Sequence, residues 1–445
     1  MKRRKFIVSS TMAAGGLGLS QALANPVADS LAKTNKINIG VIGCKGMGWS
    51  NVSSLLKMKD IDLVAICDVD QSVIEQRVNE YSTLRKNKPK IYSDYRKLLE
   101  QKNIDAVVIG TPDHWHCKQM VDAVRAGKHA YVEKPVANTI EEANIMINAA
   151  QETGMIVQTG QWQRSGPHYQ KAKEIVQSGV LGNIRLVKTW AYQGWMKPVP
   201  ILPDGPAPDG VDYKMWLGPA PDRPFNQNRF HFNFRWFWDY AGGLMTDWGV
   251  HEIDIALWVM EAKAPLSIMA SGGKLAYPDD ASETPDTLQA IFQYDNFNMQ
   301  WEHATGIDLG PYKMKEGISF IGNNGTLVVN RGGFEVYSEQ TFEGWGKEGK
   351  PKMESIESES RPDGINYLDL HTQNFVEGIK ANDASKLNTP IESGSIAAIN
   401  AQMGNIAYKT GEKIYWDAEK GNFGQNEKAN KLISPVYNNG WEISR

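Results

Sequence analysis

Cysteine is scarce in this chain, with three residues in 445. Cys44 falls in a glycine-rich turn, Cys67 near the end of an apolar run, and Cys117 further on. An odd number at such positions argues against a disulfide framework and for buried free thiols. No CxxC or HExxH spacing occurs, so no metal site is expected. Basic charge is not in surplus either: 48 Lys and Arg face 51 Asp and Glu. That balance excludes nucleic acid as the natural partner. Long apolar runs are also missing. The mildly apolar stretch Phe6–Ser20 is short and rich in glycine and serine, too poor for a membrane span of about 20 residues.

What stands at the start is a secretory pattern. Lys2, Arg3, Arg4 and Lys5 precede that mild run, and Ala22-Leu23-Ala24 follows it. Arg3-Arg4 before Phe6-Ile7 resembles a twin-arginine signal, so residues 1–24 are expected to direct export, with a periplasmic location. Such export carries folded proteins, so a cofactor can be loaded before translocation. A basic tail or an uncleaved anchor is the alternative. No membrane span is expected once the signal is removed. The remaining length suggests two domains, bounded at 35–160 and 161–437.

The first of these reads as alternating strands and helices. Ile37–Ile42, Ile61–Cys67, Ala106–Gly110, His129–Val132 and Met155–Thr159 are short apolar runs of the buried parallel type. Helical stretches run to Lys57 and over Met120–Ala126. Gly43, Lys45, Gly46, Met47 and Gly48 form the turn after the first strand, and Asp68 closes the second, 25 residues after Gly43. Strand, glycine turn, helix, strand and acidic end together form a dinucleotide-binding arrangement. Backbone amides of the turn approach a pyrophosphate at a helix start. The Asp68 carboxylate suits ribose hydroxyls and repels a 2′-phosphate, which favours NAD over NADP. Lys45 stands where the strict fingerprint has glycine, and neighbouring Gly46 is expected to take the close-approach role. In a doubly wound sheet ligands gather at the carboxyl ends of strands, where Asp68, Thr111, Pro112, His116, Glu133, Lys134 and Pro135 fall.

The second half opens with an irregular proline-rich stretch, Gly194–Asn233, of the kind usually kept for function or contact. An aromatic run follows from Phe230 to Tyr240. Part of it is core. Trp195, Trp236 and Trp238 are candidates to stack on a sugar ring. Met245–Met260 reads as one helix with Asp247, His251 and Asp254 on one face. For an isolated helix of this kind, satisfied polar groups near its start are the blander reading. Thr287–Tyr294, Phe297–His303, Gly317–Ile321 and Thr326–Val329 read as strands of a largely antiparallel sheet. Tyr367–Ala381 and Ser393–Lys409 read as helices, the second capped by Gly411.

Taken together, the Gly43–Gly48 turn, Asp68, Thr111-Pro112 with His116, Glu133-Lys134-Pro135, and Asp247 with His251 resemble the Gfo/Idh/MocA (glucose–fructose oxidoreductase / inositol dehydrogenase) family over residues 36–418. The resemblance implies an α/β protein: a Rossmann domain, then an α/β domain whose open sheet lines the substrate site and supports a dimer or tetramer. It implies that Lys134 lies beside a nicotinamide and bonds the reacting hydroxyl. His251 would be the general acid/base, and Asp247 would bind an adjacent hydroxyl or orient the site. Pro135 would follow a cis peptide bond. Arg164, in the segment Gln161–Arg164, would lie near the cofactor; with Arg235 it joins the candidates for touching a carbohydrate substrate. Histidine and lysine suit alcohol oxidation, which needs a proton acceptor and a cation for the developing alkoxide.

Export raises a supply question, since the cell envelope has no known free nicotinamide pool. Two enzyme readings answer it: an oxidoreductase with tightly held, recycled NAD, or a redox-neutral glycosidase or lyase that oxidises, eliminates, hydrates and reduces. An exported carbohydrate-binding protein without activity is the third.

Overall fold

The computed structural model describes residues 36–443. The expected signal at 1–24 lies outside the described residues. β1 (Ile37–Ile42), β2 (Ile61–Cys67), β3 (Lys90–Tyr92), β4 (Ala106–Ile109), β5 (His129–Val132) and β6 (Val157–Thr159) form one parallel sheet in the order β3-β2-β1-β4-β5-β6. These short runs are apolar because both faces are covered by helices, and Val41, Ile66, Val107 and Val132 are fully buried. The order reverses between β1 and β4, which opens a crevice at their carboxyl ends.

β7 (Leu186–Gln193), β8 (Ser267–Gly273), β9 (Thr287–Gln293), β10 (Asn298–Thr305), β11 (Glu316–Ile321), β12 (Gly325–Asn330), β13 (Gly333–Ser338), β14 (Glu359–Ser360) and β15 (Ile414–Tyr415) make a nine-stranded sheet. Its order is β14-β13-β12-β11-β7-β10-β9-β8-β15. Neighbours run antiparallel except β7 and β10, which pair in parallel. The molecule is therefore an α/β protein with a Rossmann sheet and a mostly antiparallel second sheet. β7, which sits at the centre, carries no clean run of apolar residues, and sequence periodicity passes it by. One face of this sheet buries Trp301, Phe292 and Phe320 in a common core, and Trp190 is buried on the other face.

The last two long helices tie the halves together. Tyr367–Ala381 sends Phe375, Val376 and Ile379 into the same core as Ile37 and Ile39 of β1. Ile391–Thr410 packs on helices of both halves and ends at Gly411, whose φ of +66° is the left-handed stop glycine allows.

Met245–Met260 is not one helix. Leu244–Asp247 and Gly249–Met260 are separated at Trp248. The His251 amide donates to Trp248 O at 3.0 Å, one residue short of its regular helical partner. That break leaves the Asp247 carbonyl open.

Candidate active site

A cavity of about 410 Å³ fills the crevice between β1 and β4. Gly43, Lys45, Gly46, Met47, Asp68, Thr111, Pro112, Glu133 and Lys134 line it. Gly43 and Gly48 explain the turn. A Cβ on Gly48 would lie 2.0 Å from Gly43 O, and one on Gly43 (φ +77°) would lie 2.7 Å from Thr111 N. Helix, turn and β4 can approach this closely only without side chains. Gly48 is thus a packing position behind the cavity. Asp68 holds the turn in shape: Oδ2 accepts from Cys44 N at 2.8 Å and Oδ1 from Asp70 N at 3.1 Å. Burial pushes its carboxyl up, against the pull of those amides. Glu133 is also raised by burial, while Asn51 Nδ2 donates to it at 2.7 Å. A closely approached glycine turn at a helix start supplies donors, and a carboxylate at the end of β2 an acceptor, of the kind a dinucleotide requires.

His116 stands outside the cavity. Its two ring nitrogens each lie 2.7 Å from a carbonyl, Pro135 O and Thr111 O. It positions two wall segments, and burial pushes its value down to about 4 against the pull of the two carbonyls.

At the end of β5 the chain turns through a cis Lys134-Pro135 bond. Lys134 Nζ donates to Asp247 Oδ1 at 2.8 Å and to the open Asp247 carbonyl at 2.9 Å. Arg235 Nε donates to the same Oδ1 at 3.1 Å. Burial would raise the Asp247 carboxyl, but Lys134 and Arg235 outweigh it and hold the group at about 2. His251 is 5% exposed, and its Nδ1 has no hydrogen-bond partner. Burial first, then the charges of Lys134 and Arg331, push it well below the ordinary histidine value. The imidazole is therefore held neutral, with Nδ1 uncommitted. Asp113 joins the cavity from the first position of the helix after β4, raised by burial to about 7.

Three expected substrate contacts fall elsewhere. Arg164 grips Asp254 with two bonds of 2.8 and 2.7 Å and reaches Ser393 Oγ at 3.1 Å. Its guanidinium is spent on a buried pair, and Asp254 leaves the Asp247–His251 group with it. Asp254→Ala is accordingly expected to destabilise the fold by about 3–5 kcal/mol, because it strands a buried guanidinium. Denaturant melts of the purified variant check this, and an unchanged midpoint refutes it. Trp236 is core, and its carbonyl accepts from the amides of Glu283 and Thr284. Trp238 faces a second cavity of about 260 Å³, with Lys409 Nζ 3.8 Å from its ring centre. Trp195 alone of the three tryptophans stays near the mouth. It is 53% exposed, and its ring stands edge-on to Phe232, a cavity residue, at 6.0 Å.

The irregular insertion and the aromatic run that overlaps its end supply residues that the sequence did not single out. Trp216, His231, Phe232 and Phe234 line the dinucleotide cavity. The insertion is pinned to the Rossmann half beside Asp68. Asp212 N donates to Val69 O at 2.8 Å, Gln71 N to Gly210 O at 3.0 Å, and His231 Nε2 lies 2.8 Å from Asp70 Oδ2. No periodicity marks such a strap, because its partners are loop ends from the other domain.

Residues 37–161 match the NAD-binding Rossmann fold of the Gfo/Idh/MocA oxidoreductase family, and residues 166–324 match that family's C-terminal α/β domain. The chain belongs to this family. An alpha-N-acetylgalactosaminidase of Shewanella oneidensis is 32% identical over 170 residues, 34% of this chain and 37% of that protein. The chain thus spans little more than a third of the length of such curated relatives. An uncharacterised Bacillus subtilis oxidoreductase, YrbE, is 27% identical over 56% of this chain and 60% of its own. Among solved structures, the WlbA dehydrogenase of Bordetella pertussis, in complex with NADH and UDP-GlcNAcA, aligns with a TM-score of 0.62 at 18% identity. It covers 86% of this chain and 99% of its own. A levoglucosan dehydrogenase in complex with NADH and levoglucosan aligns with a TM-score of 0.64 at 17% identity, over 85% and 99%. At these identities the likeness is one of fold. The family's NAD-binding domain and the cavity's glycine turn together support a nicotinamide cofactor.

Proposed function

We propose that this protein is an NAD(H)-dependent oxidoreductase acting on a hydroxyl of a sugar, polyol or glycoside, with a tightly held, recycled cofactor. The observation that carries the reading is the meeting of Lys134, Asp247 and Arg235 at the rim of the dinucleotide cavity, with an uncommitted neutral His251 on the adjoining helix. A bound nicotinamide supplies a hydride acceptor and donor. The chain's own residues manage the proton and the charge. His251 takes the hydroxyl proton in oxidation and returns it in reduction. The Lys134 ammonium stabilises the alkoxide that develops on the same oxygen. Asp247 aims Lys134 through two hydrogen bonds, and accepts from a neighbouring substrate hydroxyl. Asp68 favours NAD, and Asp68→Ser is expected to relax that preference toward NADP. Initial rates with each cofactor check this, and undiminished NAD selectivity would remove Asp68 from the role.

Retention of the cofactor follows from the proposed twin-arginine export to the periplasm and draws support from the strap around His231. The proposed assembly is a homodimer or homotetramer. Protein purified without added cofactor, denatured and assayed for NAD(H), is the direct test. Near-stoichiometric NAD supports the reading. Absence of NAD, with weak binding on addition, sinks it.

The second reading, a redox-neutral glycosidase or lyase, is favoured by one observation, the 32% identity to an alpha-N-acetylgalactosaminidase. Product analysis separates the two: a keto-sugar marks oxidoreduction, a released aglycone without keto product marks the redox-neutral route.

A further inference from the structure

Beyond His251 the site is walled by two tryptophans and an arginine. The His251 ring centre lies 6.1 Å from that of Trp162 and 6.2 Å from that of Trp248. Arg331, in the turn between β12 and β13, lays its guanidinium over both of those rings, at 4.6 and 4.4 Å. Nε and Nη2 donate to Gln163 Oε1 at 3.2 and 3.0 Å. Two aromatic faces and one amide oxygen thus fix the plane of the guanidinium and leave Nη1 without a hydrogen bond among the described residues.

No carboxylate among the described residues forms an ion pair with Arg331. The two acids that feel its charge are Glu252 and Glu316. Burial, then the charge of Glu316, pushes Glu252 up to about 8, and neither of its oxygens has a hydrogen-bond partner. Glu316 accepts from the Arg331 backbone amide at 3.3 Å and is raised by burial. Glu252 is driven toward its uncharged form, and Glu316 meets Arg331 only through the backbone amide, so the guanidinium has no carboxylate in hydrogen-bond contact among the described residues. Across the site, Lys134 and Arg235 share the one carboxylate of Asp247. The balance of this wall is cationic, and its most rigid cation is a planar donor set of the geometry that carboxylates fit.

We propose that the substrate is an acidic sugar of the uronic acid type, its carboxylate received by Arg331 while Lys134 and His251 act on a ring hydroxyl. The proposal rests on the reading of Lys134 and His251 as the hydroxyl-handling pair. Trp162 and Trp248 set the plane of Arg331 and give the ring an apolar wall.

The test measures binding, separately from turnover. Purified protein with its retained cofactor is titrated with glucuronate, galacturonate and mannuronate, each beside its neutral parent sugar, and with glucose 6-phosphate. Tryptophan fluorescence and calorimetry supply the affinities, and NADH absorbance and keto-sugar analysis are recorded in parallel. At least one uronate is expected to bind about 10- to 100-fold tighter than its parent, the margin of a hydrogen bond to a charged group. Arg331→Gln should erase that margin and leave the parent sugar's affinity within about twofold, whereas Arg331→Lys should keep part of it because charge survives without the fork. A panel in which no uronate outbinds its parent overturns the proposal. So does preference for the phosphate, or a variant that weakens acidic and neutral sugars alike. An Arg331-dependent margin without NADH or keto-sugar would instead remove the oxidoreductase reading. NADH from neutral sugars without any margin removes the acidic-sugar proposal alone.

Discussion

Lys134→Met is expected to lower kcat/KM by about 10²–10⁴-fold while leaving the protein's NAD content close to that of the parent. The ammonium is the group at the cavity rim that can face a developing alkoxide, and it is already oriented by two oxygens of Asp247. Methionine keeps the length and most of the volume of the side chain, so cavity shape survives and charge does not. The loss should fall on kcat, because the charge develops only in the transition state. One further consequence is built into the geometry. Without Lys134, Asp247 keeps Arg235 as its ion-pair partner, and its carboxyl should rise from about 2. Steady-state kinetics beside an NAD assay decide the matter. A variant that retains full turnover would take Lys134 out of the chemistry, and one that binds sugar normally in a protein with no turnover at all would favour a binding protein.

His251→Asn is expected to cost a similar ~10²–10⁴-fold in the oxidation direction, since asparagine cannot accept a proton. The pH profile carries the finer prediction. A base must be neutral to act, and a depressed value keeps His251 neutral to lower pH than an ordinary histidine near 6.5. Activity should therefore not show an acid limb at that ordinary value; any fall due to His251 lies below it. An inflection near 7 belongs to Asp113, which burial raises to about that value, and Asp113→Asn should remove it. A limb at 6.5 that vanishes in His251→Asn would show that the imidazole is not held neutral by its surroundings.

Much of the site was legible because short-range rules govern it. Gly43 and Gly48 are required wherever helix, turn and strand pack this closely, and that requirement shows in sequence spacing. Asp68 and Glu133-Lys134-Pro135 come at the ends of apolar runs whose parallel pairing places them in one crevice. Arg164 misled for an equally physical reason. A basic residue beside a site can bind substrate or neutralise a buried acid, and its partner Asp254 lies 90 residues away. Trp236 and Trp238 were ambiguous in the same sense, as aromatic residues fill cores and line sites with equal ease. His231 left no trace, because its partner Asp70 is brought to it only by the docking of the insertion on the Rossmann half.

The amino-acid sequence by itself determined the Rossmann sheet and its glycine turn, since hydrophobic period, glycine spacing and strand-end position are local properties; the meeting of Lys134 with the Asp247–His251 segment was implied only by the family resemblance. Only the tertiary structure decided which charges remain free. It broke the helix at Trp248 so that the Asp247 carbonyl meets Lys134. It locked Arg164 onto Asp254 and laid Arg331 over Trp162 and Trp248 beside His251. Whether an arginine or an acid is spent or available depends on what lies within about 4 Å of it, and for residues 90 or more positions apart that distance is set by packing alone.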